Sequence, residues 1–193
     1  MPFNLLKTVQ QNLGYPELKK VDPNTQDVIF DTPASDQTRL GQAAIPAVLT
    51  GLYKYIETDE GLNVITSASE SPHWLEAIFV DTASEIINKV TAYSNCPANS
   101  VTAKVHEIAN ESVKVIREHI NAPGNILKLR DFMSAQRLNI LPYLPAALRT
   151  GELLKDSTLD DRTNKMSGPV SSFMHGMEGI FSPGHTSTKE ENF

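Results

Sequence analysis

Apolar residues recur at three- and four-residue intervals along most of this chain. No run alternates with a period of two, so the pattern predicts helices joined by short breaks. Leu5, Leu6, Val9 and Leu13 make the first stripe, with Asn4 placed to cap it and Gly14 to end it in the left-handed conformation. Between Pro16 and Asp36 three prolines and several Asp, Asn and Thr residues break the period. This stretch reads as a surface connection, with Val28-Ile29-Phe30 as its expected hydrophobic anchor.

Ser35 or Asp36 then opens a long helix expected to reach about Ile56, and Thr58-Asp59-Glu60-Gly61 restarts another through Leu62, Ile65 and Ala68. Ser71-Pro72 is a cap followed by a proline at the first helical position, opening a short helix with Trp74, Leu75, Ile78 and Phe79 toward a core. Thr82 with Glu85 resembles a capping box for the stripe Ala83, Ile86, Ile87, Val90 and Tyr93. After the break and fresh cap at Asn95 to Ser100, a long helix carrying Val101, Val105, Ile108, Ser112, Val115 and His119 is expected to reach Ile120. Ile126 through Leu141 continues the apolar pattern, and Thr158-Leu159-Asp160-Asp161 again resembles a capping box. Lys165 to Phe181 is helix-capable, with Val170, Phe173, Met174, Met177, Ile180 and Phe181 apolar, but its glycines and Pro169 make it dependent on packing.

Two stretches stand out as centres, Ile45-Pro46-Ala47-Val48-Leu49-Thr50-Gly51 and Leu144-Pro145-Ala146-Ala147-Leu148-Arg149-Thr150-Gly151. Each is expected to be a proline-kinked core helix, whose small residues admit a neighbouring helix close to the bend. Pro, Ala and Leu recur at one constant offset, while the glycines fall one residue out of step. Duplication, giving a pseudo-repeat, and convergent bend chemistry therefore both stay open. The expected fold is all-α: a multi-helical orthogonal bundle forming one domain over residues 1–181, with subdomains 1–95 and 96–181 as the alternative division and a disordered polar tail at 182–193.

Composition narrows the function classes. A net charge of -6, with 17 basic residues scattered among 23 acidic ones, speaks against nucleic acid as a partner, because phosphate neutralisation needs clustered Lys and Arg. The one cysteine, Cys96, allows no intramolecular disulfide. The opening Met-Pro-Phe-Asn-Leu-Leu-Lys lacks the features of a secretory signal, and Leu40 to Tyr53 falls short of the roughly 20 residues of a spanning helix. A cytoplasmic protein with no transmembrane segment is the expectation.

Candidate chemistry is sparse. His106-Glu107 has Asn110 where a zinc-protease pattern would need a second histidine, and His119 would lie about 20 Å further along the helix, so both read as a solvated face. Cys96 reads as a bystander thiol, and no Gly-x-Ser-x-Gly elbow, phosphate loop or dinucleotide fingerprint is present. No metal, cofactor or catalytic residue is assigned. Two polar clusters hold interest: Arg130-Asp131 with Gln136-Arg137 and Asn139, and Asp160 to Lys165. Arg137, Asp160, Asp161 and Arg162 form the candidate polar site, weighed against a capping and salt-bridge network locking the C-terminal helix.

The run Ala43-Ala44-Ile45-Pro46-Ala47-Val48-Leu49-Thr50-Gly51-Leu52, followed by Thr58-Asp59-Glu60-Gly61, resembles the bacterial YidB-like family of small helical proteins of unknown function. The resemblance implies a bacterial, all-helical, cytoplasmic protein and transfers no catalytic residue. The leading expectation is a non-enzymatic protein acting through protein contacts, with an unknown protein or a second copy as partner. A binder of a small apolar ligand or lipid between helices, and an enzyme of unfamiliar type using the Arg137, Asp160, Asp161 and Arg162 cluster, are the alternatives.

Overall fold

The structure, a computed structural model, describes residues 3–30, 33–67, 73–121, 123 and 125–160. Within them the chain is helical, with eight α-helices in the order α1 (Leu5–Asn12), α2 (Asp36–Ile56), α3 (Asp59–Thr66), α4 (Trp74–Phe79), α5 (Ala83–Ser94), α6 (Ala98–Ile120), α7 (Ile126–Ile140) and α8 (Thr150–Leu153). No strand occurs among the described residues, which form an all-α bundle. No described helix is long and apolar enough to cross a membrane.

Local chemistry sets four of the eight described α-helix starts, those of α1, α2, α3 and α7. Asn4 Oδ1 accepts from the Lys7 amide at 2.9 Å, Ser35 Oγ from the Thr38 amide at 3.1 Å, and Thr58 Oγ1 from the Gly61 amide at 3.0 Å. Each satisfies one of the amides that a helix start leaves without an internal acceptor. Gly14 takes φ +68 beyond the end of α1, and Asn95 and Asn121 take left-handed conformations after α5 and α6.

The centre of the bundle is α2. Every residue from Leu40 to Leu52 is buried, and α2 packs against each of the other described helices. An apolar stripe is not enough for such a helix; it needs apolar or self-satisfied residues all round. Pro46 lies well inside α2, and the missing proline amide breaks one rung of the helix ladder while burial holds both flanks. The two polar residues of the stretch find partners: Thr50 Oγ1 donates to the Pro46 carbonyl at 2.7 Å, and the Gln42 side chain reaches outside the helix. Gln42 Oε1 accepts from the Lys19 amide at 2.9 Å, while its Nε2 donates to the carbonyls of Lys19 at 3.0 Å and Tyr143 at 2.9 Å. One buried side chain thus fastens two irregular segments to the core. A backbone bond from the Val21 amide to the Pro142 carbonyl, 2.8 Å, joins those segments to each other.

The second proline-containing centre is not a kinked helix. It divides into 3-10 turns at Leu141–Tyr143 and Ala146–Leu148, a left-handed Arg149 at φ 46, and the single turn of α8. Pro142 and Pro145 stand three apart and each lacks a donor; Leu141 before Pro142 keeps helical angles at φ -59, ψ -34, whereas Leu144 before Pro145 is extended at φ -79, ψ 114. The Leu141–Tyr143 turn and α8 both pack on α2. The two centres share a sequence pattern and adopt different conformations.

Other expectations give way at specific positions. The loop between α1 and α2 is anchored by Leu18 and Val21, 6% and 2% exposed, whereas Ile29 is 60% exposed. Thr82 makes no capping bond; its hydroxyl donates back to the Phe79 carbonyl at 2.8 Å, because Val80–Thr82 already forms a 3-10 turn. Pro97 precedes α6 with no side-chain cap. Asp156, not Thr158, caps the turn at Ser157–Leu159: its Oδ1 accepts from the Thr158 amide at 3.1 Å. Ser71-Pro72, Ala68, Asp161, Arg162, Lys165 to Phe181 and the tail 182–193 lie outside the described residues.

The expected close approach of a neighbouring helix does occur at Gly51. A Cβ there would sit 2.5 Å from Phe79 Cζ and 2.8 Å from Ile78 Cγ2, both buried side chains of α4. Gly51→Ala is therefore expected to destabilise the fold by about 1–3 kcal/mol through overpacking, against a helix-propensity gain of about 1 kcal/mol. Urea unfolding should show a lower midpoint; an unchanged or higher midpoint would contradict this packing.

Candidate functional site

The side of α7 turned to the core carries Leu129, Met133, Gln136 and Ile140, all buried. Gln136 is the polar member of that set. Its Oε1 accepts from the Leu5 amide at 2.9 Å and from Asn139 Nδ2 at 3.2 Å, and its Nε2 donates to the Phe3 carbonyl at 3.2 Å. A residue 131 positions away thus satisfies the first amide of α1.

The outer side of α7 is not simply polar. Leu127 and Leu138 are 72% and 56% exposed, lying two turns before and one turn after Ser134 on the same side of the helix. Beside them a cavity of about 260 Å³ opens between α7 and the C-terminal end of α2, lined by Tyr53, Ile56, Glu57, Arg130, Met133 and Ser134. Burial, then the Glu57 carboxylate, pushes the Tyr53 phenol above its ordinary value. Arg137 acts electrostatically on the same phenol, and its Nε is buried without a hydrogen-bond partner among the described residues.

The rim of the cavity is tied to the last described turn. Lys54 Nζ lies 2.9 Å from Asp156 Oδ2 and 2.8 Å from Glu57 Oε2. Those two hydrogen bonds hold the ammonium well above its usual range, and the bond from Lys54 holds the Asp156 carboxyl below its own. Asp160 turns back on α8: Oδ1 accepts from the Gly151 amide at 2.9 Å and Oδ2 from the Glu152 amide at 3.1 Å. Both its oxygens therefore serve a helix start. No hydrogen bond or ion pair joins Asp160 to Arg137, and Asp161 and Arg162 are outside the described residues.

The remaining candidates take separate places. His106 Nε2 lies 3.5 Å from Glu76 Oε1 on α4. Cys96 is a half-buried free thiol, with Sγ 3.6 Å from the Asp36 carbonyl. His119 is half-buried on its face of α6: its ring centroid lies 4.2 Å from that of Phe3 and 4.4 Å from that of Phe132. The helical spacing alone could not show this, because Phe3 and Phe132 arrive from distant parts of the chain. Arg117 also had no sequence signal. It donates from Nε and Nη2 to the Ile65 and Val64 carbonyls, each at 3.0 Å, while its Cζ lies 4.9 Å from the centre of the Trp74 ring.

Burial among the two phenyl rings, then the Lys128 charge, lowers the His119 pKa from 6.5. The folded chain therefore binds this proton less readily than the unfolded chain. Stability from this group is full above pH 6.5 and declines as the pH falls through the depressed folded value. Urea midpoints measured across that range should decline less in His119→Phe than in the unaltered chain; identical slopes would contradict the assignment.

Comparison with known protein families, with curated proteins and with solved structures gave no match to this chain.

Proposed function

We propose that this chain is a protein-contact module whose working surface is the outer side of α7, and that it has no catalytic task. One observation carries the reading. Of the five large apolar residues left exposed among the described residues, three, Ile126, Leu127 and Leu138, belong to this one helix. Scattered exposed apolar residues need no explanation, but three on one helix, before and after the cavity-lining Arg130, Met133 and Ser134, support a surface that meets another protein.

The partner is another polypeptide, and a second copy of the chain belongs to that class. The likeness of Ala43 to Leu52 and Thr58 to Gly61 to the YidB-like family supports a bacterial protein, and the half-buried free thiol of Cys96 is in keeping with a reducing cytoplasm. The alternatives draw less support. A cavity of about 260 Å³ with Glu57 and Arg130 among its lining residues is small for an apolar ligand, whose sites usually enclose about 300–1,000 Å³. For an enzyme, the Asp160 carboxylate is already committed to two backbone amides.

A photoreactive amino acid placed at Leu127 should form an adduct with another polypeptide in the producing cell, whereas one placed at Lys104 on α6 should not. Adding Leu138→Asp should abolish the adduct while changing stability by no more than about 0.5 kcal/mol, the usual range for surface substitutions. Equal labelling at both positions, or an adduct indifferent to Leu138→Asp, would remove the reading.

A further inference from the structure

At about 100° of helix per residue, Leu127, Ser134 and Leu138 lie within about 40° of one another on the outer side of α7. Arg130 and Arg137 lie within about 20° of each other, on the edge of that stripe toward the cavity-lining Met133. Asp131 falls on the opposite edge, about 100° round from Arg130. The cavity-side edge of α7 is therefore basic, in a chain whose net charge is -6.

Neither guanidinium on this edge has a hydrogen bond or ion pair with another described residue. The acid that lines the cavity, Glu57, is already joined to Lys54 Nζ at 2.8 Å. A carboxylate is the group whose two oxygens match the guanidinium fork, so the basic edge calls for acids from outside.

We propose that the partner meeting α7 presents an acidic amphipathic helix, with one large apolar side chain seated in the cavity and carboxylates along its edge on Arg130 and Arg137. This rests on the contact reading of α7 and adds to it the chemistry of the partner. The dimensions set the pattern. Arg130 and Arg137 stand about 10 Å apart along α7, the spacing of two acidic residues seven positions apart on an opposing helix. The cavity, about 260 Å³, opens on the stretch of α7 between the two exposed leucines, and Tyr53, Ile56 and Met133 give it an apolar lining for a leucine or phenylalanine side chain. An anionic bilayer fits this face less well: it has no side chain for the recess, and Glu57 and Asp131 repel its headgroups.

The test titrates the full-length chain into two fluorescein-labelled helical peptides, each about five turns long with the same leucine stripe, one edged by glutamates and the other by lysines. Fluorescence polarisation at low ionic strength should give the glutamate peptide at least about tenfold higher affinity, a preference opposite to the one the chain's net charge of -6 would produce. Arg130→Glu should abolish or reverse that preference, whereas Arg130→Lys, which keeps the charge, should retain most of it. Because Arg130 is exposed, both variants should keep the urea midpoint of the unaltered chain. Equal affinities, tighter binding of the lysine peptide, no binding of either, or a preference indifferent to Arg130→Glu would overturn the proposal. Co-sedimentation of the chain with phosphatidylglycerol vesicles that the glutamate peptide does not prevent would overturn it too. A photo-adduct at Leu127 alongside any of those results keeps the contact reading and removes only the acidic helix; absence of both the adduct and the peptide preference removes the two together.

Discussion

A helix buried on every side leaves its polar atoms nowhere to go but inward, and α2 is such a helix from Leu40 to Leu52. Each polar group in that stretch must find a protein partner, because an unpaired buried donor or acceptor costs on the order of 1–3 kcal/mol. Thr50 meets the requirement within the helix, through the Pro46 carbonyl. Gln42 meets it outside, with three bonds to Lys19 and Tyr143. The loop after α1 and the turns after α7 are thereby held at fixed positions on the core, although neither has a regular hydrogen-bond ladder. Gln136 does the same for the start of α1. Two buried amides thus fasten the backbone at Phe3, Leu5, Lys19 and Tyr143 to the bundle, and apolar burial supplies the bulk of the stabilisation around them.

The same arrangement leaves α7 facing two ways. Its inner side is fixed by Leu129, Met133, Gln136 and Ile140, and its outer side keeps Leu127 and Leu138 in solvent next to a recess.

The features legible in the sequence are those set by local interactions. Asn4, Ser35 and Thr58 cap helices because a side chain three residues from an amide needs no tertiary context to reach it. The stripes of α1, α2, α5 and α6 were legible for the same reason, as was the small residue at Gly51 that lets α4 approach. The structure departs from the local pattern where a distant partner or a neighbouring break decides the conformation. Pro145 resembles Pro46 in sequence, but a second proline at Pro142 and a left-handed Arg149 prevent a continuous helix. Thr82 has the spacing of a cap, yet the turn before it redirects its hydroxyl. Leu18 and Val21, not Ile29, anchor the first loop, because Gln42 brings the backbone at Lys19 to the core. Of the candidate polar cluster, Asp160 proves to be the cap of α8, and Arg137 lies by the Tyr53 phenol with no bond between the two. The cavity itself joins α2 and α7, which are about 70 residues apart, so no local pattern could announce it.

Whether the buried Gln42 amide holds the irregular segments on α2 is decided by native-state hydrogen exchange in Gln42→Leu. Leucine keeps the apolar volume and removes all three bonds to Lys19 and Tyr143. The Lys19 and Val21 amides should then exchange roughly a hundredfold faster, equivalent to about 2.7 kcal/mol of lost local protection, while mid-helix amides of α6 keep most of theirs. Unchanged protection at Lys19 and Val21 would contradict the role given to Gln42, because the loop would then be held by something other than this side chain.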